Sequence, residues 1–365
     1  MLYAAIYAAY GVASPFLPAF VNERGVPPEE LGMVLAAGTA IRLVAAPVAA
    51  RIGDRLRALR AVLVACIALG AAATLGYLPA HGFWLFLCLT LLHAAFLAPM
   101  PVLADALSLG AASRQRFEYG WVRGAGSAAF IAGTLVSGQL VAGHGLDAIV
   151  WSQALLLCAA ALAATRVPEL VHPTVKRENR PLLLLRIPLF RNLVLVAALI
   201  LGSHAMHDAF ALIRWRAAGI SAPSASVLWS LAVLAEVLVF FWIGPRLIAW
   251  LTPRGAIALA AAAAIVRWVV MALSTDLTAL AVVQPLHGLT FALLHLACMR
   301  LIARTVPDGL EGTAQAIYAT LGIGAATALF TFTSGFLYSQ MGAAGFFCMA
   351  ALCAVALPLT LTLRA

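Results

Sequence analysis

Three arginines and three acids stand inside the long apolar runs of this chain: Arg42, Arg123 and Arg267, with Asp105, Asp208 and Glu236. The signs balance. A charge at the centre of a membrane helix costs about 2.5–3.5 kcal/mol unless it meets a partner or a wet cavity. A charge buried dry and alone costs more. Such a set is expected to pair and to converge on a shared water-filled hollow. Asp105 and Arg123 end one apolar run and begin the next, so they link adjoining helices, and Asp208 or Glu236 can face Arg267. Two chemistries suit these residues. A desolvated guanidinium is a bidentate partner for a carboxylate, which makes Arg123 and Arg267 candidate substrate ligands, while Asp105 can accept hydrogen bonds from hydroxyls. Burial favours the neutral form of an acid, so Asp105, Asp208 and Glu236 are candidate proton carriers. The plainer alternative is a set of fixed salt bridges holding helices together.

Histidines add to the second half. The stretch GSHAMHDAF carries His204, His207 and Asp208, with 204 and 208 on one face by helical spacing. LHGLTFALLHLA carries His287 and His295, two turns apart on one face. Imidazole exchanges a proton in the physiological range, so His204, His287 and His295 join the candidates for proton coupling; otherwise they are hydrogen-bonded packing residues. No HxxxH pair or acidic cluster has metal-ligand spacing, and no metal is expected. Phe16 lies between Pro15 and Pro18, where proline would kink its helix. With Trp229 and Trp268 it can wall a site for a ring-bearing solute, or these rings can face lipid.

The elements that must position these groups are membrane helices. The 365 residues are 64% hydrophobic and 10% charged, with mean hydropathy +1.00, against about 25% charged in a soluble domain. Runs long enough to span a bilayer fall at 2–21, 31–50, 61–80, 83–107, 118–142, 146–165, 189–212, 225–248, 255–273, 278–303, 313–338 and 344–363. That predicts an all-α integral membrane protein with twelve transmembrane helices. One long connection, RVPELVHPTVKRENRPLLLLRIP, holds the only lysine, Lys176, and a cluster of arginines. It divides the chain into an N-terminal six-helix bundle (1–166), a linker (167–188) and a C-terminal six-helix bundle (189–365). Arginines alternate between gaps: Arg51, Arg55, Arg57 and Arg60, then Arg114 and Arg116, then the linker, Arg246 and Arg254, Arg300 and Arg304, and Arg364. The opposite gaps hold only Arg24, Arg214 and Arg216. By the positive-inside rule both termini and the linker are cytoplasmic. The net charge of +9 is then a matter of topology, and no nucleic-acid partner is expected.

The halves resemble each other: SGQLVAGHG from Ser137 matches SGFLYSQMG from Ser334, each after a run of small residues. Two related six-helix halves joined by a basic linker is the organisation of major facilitator transporters. The cysteines, Cys66, Cys88, Cys158, Cys298, Cys348 and Cys353, lie in apolar runs with no paired spacing, so neither disulfides nor zinc are expected. The first apolar run begins at Met1 without a basic leader, and no cleavable signal is read. No Walker A loop, dinucleotide fingerprint or nucleophile elbow is present. The chain is therefore expected to be no enzyme, to need no cofactor, and to draw energy from the proton gradient.

Ala50–Arg60, ARIGDRLRALR, resembles the signature loop of major facilitators, with Asp54 and Arg55 in the characteristic gating places. Ala50 and Arg57 stand where glycines are usual. YGVASPFLP, Asp105, FEYGWVRGAGSAAF, LWSLAVLAEVLVFF, IVRWVVMA and HGLTFALLHLACMR together resemble the 3-phenylpropionate permease group, related to lactose permease and to nucleoside–proton symporters. The resemblance implies two pseudo-symmetric six-helix bundles and proton symport of a small organic solute, an aromatic carboxylate such as 3-phenylpropionate, or else a sugar or nucleoside. It implies substrate-binding roles for Asp105, Arg123, Arg267 and His287, to which Phe16 and Trp229 are added as aromatic candidates. Thr290 stands where lactose permease has the carboxylate three places after that histidine, which shifts the proton to Glu236, Asp208 or Asp105. A monomer in a bacterial-type inner membrane is expected, with solute, protons and lipid as partners.

Overall fold

Lipid offers a backbone no hydrogen bonds, so each crossing must satisfy its own, and an apolar chain in a bilayer is driven into helices. The computed structural model describes residues 1–115, 119–168, 181–307 and 309–363. The side chains of Arg114, Arg116 and Glu118, most of the linker including Lys176, and Arg364 lie outside the described residues. Among those described there are helices and no strand.

Helix α1 is Leu2–Ala13 continued by Leu17–Glu23 after a 42° bend, at the expected proline site. Then follow α2 (Pro28–Leu56), α3 (Leu59–Gly76), α4 (Phe83–Leu109), α5 (Tyr119–His144), α6 (Asp147–Ala164), α7 (Pro188–Ala217) and α10 (Leu277–Thr305). Two further runs, Ala222–Leu273 and Glu311–Thr362, have 52 residues each. Straight, each would measure about 78 Å, more than twice the ~30 Å hydrocarbon core, so each holds two crossings. The first breaks at Thr252, whose φ is 64°, and the second at Gly342, whose φ is 56°. This gives α8 (222–251), α9 (253–273), α11 (311–341) and α12 (345–362). The count is consistent with the twelve expected.

The chain forms two compact units, Met1–Lys176 with Ser221–Val227, and Arg177–Ile220 with Leu228–Ala365. Inside the first, α1 packs on α5 and α6, α2 on α4, and α3 on α4 and α6. Inside the second, α7 packs on α11 and α12, α8 on α10, and α9 on α10 and α12. The main pairings recur six helices later, which is the repeat hinted at by the paired SG motifs. Ser137 and Ser334 are both fully buried.

Small residues set the closest approaches, as their runs predict. A Cβ on Gly133 would fall 2.5 Å from the Ala8 carbonyl oxygen, so α5 and α1 meet backbone to backbone. A Cβ on Gly288 would fall 2.6 Å from the Ala235 carbonyl oxygen, which brings α10 equally close to α8. Among the described residues three π-helical segments, Val239–Ile243, Gly288–Leu293 and Tyr318–Ala325, lie in the second unit. Such turns are rare and recur at functional sites.

Candidate functional site

Each unit gathers its own charges. In the first, Asp105 on α4 faces α1 and α5. Its Oδ1 accepts hydrogen bonds from the Tyr3 hydroxyl and from the Tyr119 hydroxyl at 2.7 Å. Arg123 Nη1 lies 3.6 Å from the same oxygen, donates to the Tyr7 hydroxyl, and its guanidinium sits 5.4 Å from the centre of the Tyr7 ring. The expected Asp105–Arg123 link between adjoining helices is therefore formed, with both side chains part-exposed. The tyrosines are an addition to the sequence reading. Tyr3 and Tyr7 stack in parallel, 5.9 Å between ring centres. Tyr3, Tyr7 and Tyr10 recur every three or four residues, the spacing of one helix face, and that signal was available.

The second unit is built around Arg267 on α9, 1% exposed and with its ring-like guanidinium plane over Trp268 at 4.6 Å. The expected direct pairing with Asp208 or Glu236 is replaced by two imidazole bridges. On one branch Arg267 Nη1 lies 3.1 Å from His287 Nδ1, and His287 Nε2 lies 3.5 Å from Glu236 Oε2. On the other, Arg267 Nη2 donates to Gln284 Oε1 at 2.8 Å and approaches His207 Nε2 at 3.5 Å. Gln284 Nε2 reaches the same ring nitrogen at 3.2 Å, and His207 Nδ1 meets Asp208 Oδ1 at 3.1 Å. Arginine has donors only, so the ring nitrogen facing it must accept. Each neutral imidazole is thereby held with its proton toward a carboxylate.

His204 and Asp208 stand one helical turn apart as their spacing predicts, the Asp208 N–H donating to the His204 carbonyl at 3.0 Å, but their side chains take different partners. Helix α7 is interrupted by a turn at Ser203–His204, where Ser203 Oγ donates to the Ile200 carbonyl and accepts from Trp268 Nε1. His207 takes the place beside Asp208, while His204 lies 2.9 Å from Thr290 Oγ1. His295 stands apart, 3.4 Å from the Tyr318 hydroxyl. Trp229 stacks on His207 with ring centres 5.0 Å apart. Phe16 is fully buried at the α1 bend and enters neither hydrogen-bonded network. Asp54 and Arg55 are exposed in the last turn of α2. Among the described residues no three His, Cys, Asp or Glu side chains are grouped to hold a metal ion.

The model of the MFS_1 like family matches residues 1–349. The chain belongs to the MFS_1 like family. A protein of Escherichia coli (strain K12) named "Probable 3-phenylpropionic acid transporter" is 33% identical over 369 residues, 98% of this chain and 94% of the relative. The maltose permease of Geobacillus stearothermophilus is 24% identical over 372 residues, 100% of this chain and 93% of that one. A crystal structure of the nucleoside transporter NupG superposes with a TM-score of 0.90 at 14% identity, covering 100% of this chain and 98% of that one. This family member is thus a multi-pass membrane transporter of the major facilitator superfamily and not an enzyme. In it, Gln284 is the member of the Arg267 network that a census of charges passes over, because it carries none.

Proposed function

We propose that this transporter is a proton symporter of a small aromatic monocarboxylate, of the 3-phenylpropionate kind, acting as a monomer in the bacterial plasma membrane with both termini cytoplasmic. The observation that carries the reading is the pair of imidazole bridges from buried Arg267 to Glu236 and Asp208. A carboxylate locked directly onto a guanidinium stays ionised. One removed from it by a neutral imidazole can take up a proton while the bridging N–H keeps an oxygen acceptor. With both acids ionised the network holds two negative charges against the single positive charge of Arg267, which repels an anion. One proton brings it to neutrality. An organic anion is then accepted together with a proton, and alternating access carries both across. The 33% identical relative bears the name of a 3-phenylpropionic acid transporter, which agrees with this solute class.

The second reading, a sugar or nucleoside symporter, is favoured by one observation: Asp105 already accepts hydrogen bonds from two hydroxyls, as it would from a sugar. The test is uptake of labelled 3-phenylpropionate, maltose and uridine by proteoliposomes holding the purified chain. The proposal expects the acid to accumulate when the interior is alkaline and a protonophore to abolish it. Accumulation indifferent to the gradient overturns the coupling, and uptake of maltose or uridine in place of the acid establishes the second reading.

A further inference from the structure

The first unit holds a cavity of about 390 Å³ that neither network occupies, within the ~300–1,000 Å³ range of small-molecule sites. Its polar wall is Tyr7, Tyr10 and Ser14 of α1, Arg42 of α2, His93 of α4 and Gln153 of α6; the remainder is apolar and includes Phe130. No acid lines it. Tyr10 spends its hydroxyl on the Leu97 carbonyl at 2.6 Å, and Tyr7 accepts from Arg123. Of the other four, Gln153 is hydrogen-bonded to the His93 ring, and two groups bear on a ligand. His93 is 3% exposed, and its Nε2 is buried with no hydrogen-bond partner. Arg42, among the described residues, makes no hydrogen bond or ion pair that would compensate its charge. An unpaired buried polar atom is costly, and that cost falls on His93; Arg42 is exposed, its guanidinium open to the cavity. An unpaired buried donor and an uncompensated cation on one cavity wall, with no acid beside either, describe a site built for an anion.

We propose that this cavity binds the carboxylate of an organic acid, with the Arg42 guanidinium as its bidentate partner and His93 Nε2–H as the added donor. The rings of Tyr7, Tyr10 and Phe130 receive the compact apolar body. The proposal rests on the reading that the solute is a monocarboxylate, and it names the arginine that recognises it. Arg123 is engaged by Asp105 and Tyr7, and Arg267 by Gln284 and two imidazoles. Arg42 is the membrane arginine whose fork is left for a ligand. A lysine there would supply charge but no fork.

Isothermal titration of the purified full chain with 3-phenylpropionate and with uncharged 3-phenylpropanol decides the matter. The wild type binds the acid and not the alcohol. Arg42→Gln weakens acid binding tenfold or more, Arg42→Lys less, and His93→Gln threefold or more. Thermal unfolding identifies any variant that fails to fold; if Arg42→Gln does, Arg42→Lys and His93→Gln carry the test. Wild-type affinity in the folded variants overturns this site while leaving the transport reading intact. A wild type that binds no organic acid removes the monocarboxylate reading, and this site with it. Alcohol bound as tightly as acid also overturns the carboxylate assignment.

Discussion

Glu236 is where a single atom separates coupling from structure. His287 Nε2 points at its Oε2 from 3.5 Å, and the ring is oriented from behind by Arg267. Glutamine keeps an oxygen acceptor for that imidazole but cannot carry a proton. In Glu236→Gln the bridge should survive, so the unfolding temperature should stay within about 2–3 °C of wild type, the shift expected from 1 kcal/mol or less. Downhill exchange of labelled acid against unlabelled should continue while uphill accumulation in a proton gradient is lost. Both are read in the same vesicles. Loss of exchange and accumulation together would make Glu236 a substrate ligand, and retention of both would leave Asp208 as the carrier on the other branch. The distinction matters because Asp208 is 58% exposed at its side chain and Glu236 26%, so the two acids meet very different surroundings.

Between elements, the decisive contact is a glycine against a carbonyl. Gly288 lets α10 lie close enough to α8 for His287 to reach Glu236, since a Cβ there would stand 2.6 Å from the Ala235 oxygen. Gly288→Val must push the helices apart. We expect a loss of about 1–3 kcal/mol, the usual cost of overpacking, seen as a lower unfolding temperature with proton-driven uptake impaired. The loop after α2 makes the opposite prediction. Arg57 caps that helix with φ 51° and ψ 39°, a left-handed conformation costing about 1 kcal/mol for a side chain. Glycine at this position relieves it, partly offset by its freer unfolded chain, so Arg57→Gly should raise the melting temperature by about 1 °C. The same two sites show what a sequence discloses. Helices, the α1 kink, the small-residue contacts and the Asp105–Arg123 pair follow from hydropathy, proline and charge, which act locally. The Arg267 network does not, because its contacts join α7, α8, α9 and α10, which no local pattern sets in register, and the π segment after His287 departs from ideal helical spacing. Its key bridge, Gln284, is neutral and invisible to a search for paired charges.

At the scale of the whole molecule the minority arginines bear on orientation. Arg24, after α1, reaches the Leu78 carbonyl after α3 at 2.6 Å and Asp147 at the start of α6 at 2.7 Å. Three alternate gaps therefore lie on one side of the first unit. Arg60, in the first turn of α3, reaches the Val167 carbonyl beyond α6 at 3.2 Å, tying together ends on the opposite side. In the second unit Arg214 at the end of α7 reaches the Ala272 carbonyl at the end of α9 at 3.2 Å, and Asn192 at the start of α7 meets Thr362 at the end of α12 at 3.1 Å. The alternation read from charge thus has a geometric counterpart inside each unit. Arg24 and Arg214 are held by acceptors of their own side, whereas Arg51, Arg55 and Arg57 are exposed. Insertion retains the richly basic side in the cytoplasm. A cysteine placed at exposed Ala218, beyond α7, should be labelled by a membrane-impermeant maleimide in intact cells. Arg57→Cys should be labelled only after the cells are opened, with the native chain as the blank for its six cysteines. The reverse pattern would invert the molecule, and labelling of both in intact cells would break the alternation on which the twelve-helix reading depends.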